Sequence, residues 1–140
     1  MTEAKIFLDT NVLIYAFDVS AGKKHEIARK IVSDLWRSGL GLSSTQVLQE
    51  FFVTATRKIK KPLDAKSAEE IVRDLLKWEV VVNDGESILE AIQIHSSHGF
   101  SFWDAMIIQA ASRGKATVLF SEDLSHTQTV AGIRIKNPFN

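Results

Sequence analysis

The chain has 140 residues, 45% apolar and 24% charged; its 17 basic side chains balance 17 acidic ones, and it has no cysteine. That length and mix fit one folded domain with one core, expected to span 1–140, and exclude global disorder. A zero net charge excludes strong overall attraction to nucleic acid, so such binding needs a local patch. The missing cysteines exclude disulfides, thiolate zinc and a cysteine nucleophile. No apolar run approaches the roughly 18 residues of a membrane span. The start "MTEAK" lacks the basic end and apolar core of a signal peptide. The expectation is a cytoplasmic protein with no membrane association.

Lys5 to Leu8 reads as a first strand, followed by a short helix from Asn11 to about Phe17. Lys23 to Ser38 repeats apolar residues at helical spacing through Ile27, Ala28, Ile31 and Leu35. Leu40 to Ser43 fits a second strand. Thr45 to Ile59 carries an apolar stripe of Val47, Leu48, Phe51, Phe52, Ala55 and Ile59. Pro62 ends that segment, and Asp64 can cap a helix running to about Trp78. Glu79 to Val82 is a third strand. Asp84 can cap a helix from Glu86 to His98, which Gly99 stops. Ser101 opens a helix to about Ser112, and Thr117 to Phe120 is a fourth strand. Ile133 to Ile135 fits a fifth, at the sheet's edge. Short apolar strands separated by helices predict an α/β fold with a mostly parallel sheet of four to five strands, covered on both faces. In such sheets the working groups lie beyond the C-terminal strand ends. Asp9 follows the first strand, and Ser121-Glu122-Asp123 follows the fourth.

Among 17 acids most are solvated surface, so each candidate has two readings. Asp104 sits in "GFSFWDAMIIQAA", a helix apolar almost all round, with Ile107 and Ile108 on its face. It can be a capping residue, since Ser101-x-x-Asp104 resembles a capping box, or a ligand; the first turn of a helix favours an anion either way. Asp9 can cap the helix beginning at Thr10 or Asn11, or be a ligand. Asp123 can be a turn residue or a ligand. Its neighbour Glu122 reads as solvent-facing and is a credible substitute ligand. Glu50 lies off the apolar stripe and reads as a surface acid unless a cleft receives it. Carboxylates gathered in one cleft repel, and a cation relieves them. Oxygen donors without nearby histidine or cysteine suit Mg²⁺ or Mn²⁺ rather than zinc.

"RKIKK", Arg57 to Lys61, puts Arg57, Lys58, Lys60 and Lys61 in one short run. It can grip an RNA backbone or be a solvated helix end favoured by the dipole. His95 and His98 are three apart on one helix, and His25 and His126 are scattered; a polar face explains the pair more simply than a metal site. Trp36, Trp78 and Trp103 read as core or interface residues rather than base-stacking platforms. Tyr15 and Phe17 read as core.

In order and spacing, "FLDTNVLIYAFD", "VLQEFF", "FWDAMII" and "LFSEDL" resemble the PIN-domain nucleases, and the tail "SEDLSHTQTVAGIRIKNPF" resembles the end of many VapC-type toxins. The resemblance covers nearly the whole chain. It implies a three-layer α/β/α sandwich and a Mg²⁺- or Mn²⁺-dependent endoribonuclease leaving 5′-phosphate and 3′-hydroxyl ends. Asp9, Glu50, Asp104 and Asp123 match the four family acids, which hold the ion directly or, as for Glu50, through water. Ser121 matches the hydroxyl residue before the fourth acid. Thr10 and Asn11 match the supporting polar residues after the first. It also implies a homodimer and a cognate antitoxin that can push an arginine into the acidic site. Two rival readings stand beside it. One keeps the fold as a catalytically inactive RNA- or protein-binding module. The other is a phosphatase with an Asp9 nucleophile, whose usual second acid two positions later is here Asn11.

Overall fold

A computed structural model describes residues 4–124 and 128–140. His126 lies outside the described residues. The elements run β1 (Lys5–Leu8), α1 (Thr10–Phe17), a 3₁₀ turn (Val19–Ala21), α2 (Lys23–Ser38), β2 (Gly41–Ser44), α3 (Thr45–Arg57) and α4 (Ala65–Leu75). They continue with β3 (Glu79–Val81), α5 (Gly85–His98), α6 (Phe102–Arg113), β4 (Ala116–Phe120), β5 (Gln128–Val130) and β6 (Ile133–Lys136).

The strands form one sheet in the order β3-β2-β1-β4-β6-β5, parallel except for the β5–β6 pair. Chain connectivity places the helices. From β1 the chain steps outward to β2 and again to β3, so right-handed crossovers lay α1 to α4 on one face. It then returns across the sheet to β4, which puts α5 and α6 on the other face, with α6 packed on β2, β3 and β4. The result is the three-layer α/β/α sandwich. Strand order reverses between β1 and β4, and a crevice opens there beyond the strand ends.

The core agrees with that layering. β2 is buried along its whole length, and Phe7, Leu8, Leu42, Leu119 and Ile135 of the strands are almost fully enclosed. Leu13 and Phe51 close one face, and Ile107, Ile108, Ala110 and Ala111 the other. Gly41 is required by packing: a Cβ there would stand 2.6 Å from the Trp78 ring, which meets Trp36 edge-on.

The sheet has six strands among the described residues rather than the expected four to five. The addition is Gln128–Val130, three residues long and too short for a periodicity signal. It turns back through Ala131 and Gly132, both at positive φ (53° and 79°), the hand that a two-residue hairpin of right-twisted strands needs. In consequence β6 is not the edge expected of Ile133 to Ile135; it lies between β4 and β5.

Candidate active site

Four segments deliver side chains to the β1/β4 crevice. Asp9 ends β1 and begins α1. Its Oδ1 accepts from the Thr10 amide at 2.7 Å, and its own amide donates to the Phe120 carbonyl at 3.0 Å. Its Oδ2 accepts from the Ser121 hydroxyl at 2.8 Å. Asp9 is therefore both a cap and a wall of the crevice. Asp123 follows β4 and accepts from the Asn11 side-chain amide.

Glu50 reaches in from α3 on one face of the sheet. The Thr10 hydroxyl donates to its Oε1 at 2.6 Å, and Gln46 Nε2 to its Oε2 at 3.2 Å. Gln46 is one helical turn earlier on the same side of α3. Periodicity assigned Glu50 to the surface; the surface it occupies is the crevice wall. Asp104 enters from α6 on the opposite face. Its backbone N–H is capped by Ser101 Oγ at 3.1 Å, while its carboxylate lines the crevice. Asp9, Glu50, Asp104 and Asp123 thus line one cleft of about 180 Å³.

The electrostatics follow from that convergence. Burial pushes the Asp9 carboxyl up to about 6, against hydrogen bonds from Ser121 and Thr10 that pull it down; the Asp104 and Glu50 charges push it further up. The negative charge of Asp9 is thus disfavoured in the cleft, and an added cation would offset it.

Glu122 takes no part in the cleft lining. It accepts from the Tyr15 hydroxyl at 2.7 Å and pairs with Lys24. Partial burial would raise its carboxyl, but Lys24 and Tyr15 hold it below the usual glutamate range. The structure therefore places Asp123, not Glu122, in the cleft. The basic run also divides. Lys58 lines a second cavity of about 440 Å³ that shares Thr10, Asn11 and Glu50 with the acidic cleft, whereas Arg57, Lys60 and Lys61 are exposed away from its walls. The His95 ring is bonded to the Phe100 carbonyl and His98 stacks on the Phe100 ring, so this pair serves the end of α5.

Gln46, Trp103 and Ile107 also line the cleft. Gln46 is buried, and its Oε1 has no hydrogen-bond partner among the described residues. Its spacing of four from Glu50 was the available signal. Trp103, expected as a core or interface residue, is not in the core: it is 64% exposed at the cleft wall beside Asp104.

The donor set is oxygen only, which suits a hard divalent ion in kind. Spacing is a separate matter. Among the described residues no three acidic or histidine side chains stand close enough to hold an ion as arranged. Glu50 and Asp123 each hydrogen-bond a neighbouring side chain, Thr10 and Asn11.

The PIN domain family model matches residues 6–130. The chain belongs to the PIN domain family. Several solved structures share this PIN fold. VapC20 of Mycobacterium tuberculosis, a sarcin-ricin loop cleaving toxin, aligns with a TM-score of 0.64 at 17% identity over 85% of this chain and 90% of its own. A toxin–antitoxin complex from Klebsiella pneumoniae aligns with 0.69 at 15% identity, over 96% and 98%. VapBC2 from Rickettsia felis, bound to a DNA fragment from their promoter, aligns with 0.66 at 17% identity, over 94% and 97%. No curated protein matches this PIN domain in sequence.

Proposed function

We propose that this PIN domain is a Mg²⁺- or Mn²⁺-dependent endoribonuclease and the toxin of a toxin–antitoxin pair. The observation that carries the reading is the convergence of Asp9, Glu50, Asp104 and Asp123, from four separate segments, on one cleft at the strand-order reversal. Asp9, Asp104 and Asp123 are the proposed ion ligands, and Glu50 binds directly or through water. Held by these carboxylates, such an ion would offset phosphate charge and supply Lewis-acid activation of water. Ser121 and the Thr10 amide hold Asp9, the Thr10 hydroxyl holds Glu50, and Asn11 holds Asp123. Lys58, in the adjoining cavity, is the basic residue best placed to grip an RNA phosphate.

Other supports are surfaces. An apolar groove of about 490 Å³ between α3 and α4, lined by Leu48, Phe52, Val53, Val72 and Leu76, suits an antitoxin helix. It shares Val53 and Gln49 with the Lys58 cavity, so a segment lying there leads toward the acidic cleft, where an arginine would meet opposite charge. Exposed Ile88, Leu89 and Ile92 on α5 suit a homodimer contact. The whole chain acts in this reading as one cytoplasmic unit; among the described residues no helix is long and apolar enough to cross a membrane.

The test is cleavage of total RNA with Mg²⁺ or Mn²⁺ by the wild type, Asp9→Asn and Asp104→Asn. Cutting by the wild type alone supports the reading. Equal cutting by all three refutes the site. No cutting and no ion uptake leaves the inactive binding module.

A further inference from the structure

Glu122 and Asp123 are adjacent acids with opposite destinations. Asp123 lines the acidic cleft. Glu122 leaves on the other side, where the Tyr15 hydroxyl and the Lys24 ammonium meet its two oxygens. Lys24 Nζ also lies over two rings, 5.2 Å from the centre of Tyr15 and 5.8 Å from that of Phe139. Those rings meet edge-on at 5.3 Å. Three segments thus gather at the Glu122 side chain: α1 and the first turn of α2 bind its carboxylate, and Phe139 near the C-terminus packs against Tyr15 and Lys24.

The remaining turn residues are fixed as well. Ser121 is fully buried, its amide donates to the Lys136 carbonyl at 2.9 Å, and its hydroxyl is bound to Asp9. Leu124 is buried, and its amide donates to Ser121 Oγ at 3.2 Å. Between these anchors the chain has two side chains to place. With Glu122 held outward, Asp123 is left facing the cleft.

We infer that Glu122, gripped by Tyr15 and Lys24, is a positioning residue that sets Asp123 toward the cleft and so tunes the affinity of the ion site. The clamp has a second consequence. It neutralises one carboxylate of the pair with Lys24 and keeps that charge out of a cleft already crowded with four. Partners that orient ligands in this way typically change ion affinity by about 10- to 100-fold when removed.

The inference rests on the proposed ion site, so its test has one readout with the ion and one without. Mn²⁺ affinity is measured by electron paramagnetic resonance for the wild type, Glu122→Ala, Asp123→Ala and the double variant. Glu122→Gln and Tyr15→Phe serve as milder variants should Glu122→Ala fold poorly. Expected are about tenfold weaker binding for Glu122→Ala, partial rescue in Glu122→Gln, which keeps the Tyr15 bond, and no further loss from Glu122→Ala once Asp123 is alanine. Additive losses, or wild-type affinity in Glu122→Ala and Tyr15→Phe, overturn the inference.

The second readout is the side-chain amide resonance of Asn11 in ¹⁵N-labelled, metal-free protein, since that amide donates to Asp123. Glu122→Ala, or Tyr15→Phe in its place, is expected to move it toward its position in Asp123→Ala. An unmoved resonance overturns the inference. If no form binds Mn²⁺, the ion-site reading fails by itself, and the Asn11 resonance decides whether the clamp orients Asp123.

Discussion

The Ser121 hydroxyl donates to Asp9 Oδ2 at 2.8 Å, joining the ends of β4 and β1 across 112 positions of sequence. The two strands are neighbours with opposite onward connections, so this bond spans the floor of the crevice. It also stabilises the charged form of Asp9 where burial and two neighbouring acids oppose that charge. The bond alone does not bring the carboxyl back to the ordinary aspartate range.

A pH dependence follows for metal-free protein. Asp9 titrates near 6 in the fold against 3.8 for the free side chain. A raised acid binds its proton more tightly when folded, so its ionisation costs stability. The cost is absent below about pH 4, grows between about 4 and 6 and is complete above, reaching on the order of 3 kcal/mol. Asp9→Asn should therefore unfold at a higher temperature than the wild type at pH 7 in chelator, and the gap should close near pH 4. Equal melting curves at pH 7 would show that Asp9 is not strained.

Substitution of the α6 acid separates capping from chemistry. Asp104 is capped through its backbone N–H by Ser101, so Asp104→Asn leaves the helix start intact. Cleavage should fall by at least about 100-fold, the upper end for outer partners of ion ligands. Ser101→Ala should instead cost about 1 kcal/mol of stability with far smaller loss of cleavage. Comparable kcat values for both variants would remove Asp104 from the ion site.

Trp103 stands 64% exposed beside the acids. Base stacking on such a ring is worth about 1–3 kcal/mol. Trp103→Ala should raise KM for single-stranded RNA about tenfold or more with kcat little changed. A kcat loss at constant KM would instead mean that the indole shapes the cleft.

Of the four basic residues in "RKIKK", only Lys58 borders the cavity next to the acids. Lys58→Ala should weaken RNA binding and lower the salt dependence of log K by about one. Lys61→Ala should do neither. The reverse result would move the RNA path off this cavity.

At Gly41 the prediction concerns the fold. An added methyl meets the Trp78 ring at 2.6 Å. Gly41→Ala should cost roughly 1–3 kcal/mol, the usual range for overpacking, and lower the melting temperature by several degrees.

The local elements were legible in the amino-acid order. Asp84 and Gly99 bound α5 as expected, because caps and left-handed stops act within a few residues. Alternating short apolar strands and amphipathic helices were enough for the layered α/β class, since those patterns depend only on which faces are buried. The ordered motifs around Asp9, Glu50, Asp104 and Asp123 were legible too, as a family likeness. Periodicity measures distance from a helix's own apolar stripe, so it read Glu50 as surface without saying what that surface faces. Only the folded chain shows that Glu50 and Asp104 line one cleft from opposite faces of the sheet, that Lys58 and not Lys61 borders the adjoining cavity, and that Glu122 turns to Tyr15 and Lys24 while Asp123 turns inward. Each of these depends on contacts between residues far apart in the chain, created by strand order and crossover hand, which no local pattern encodes.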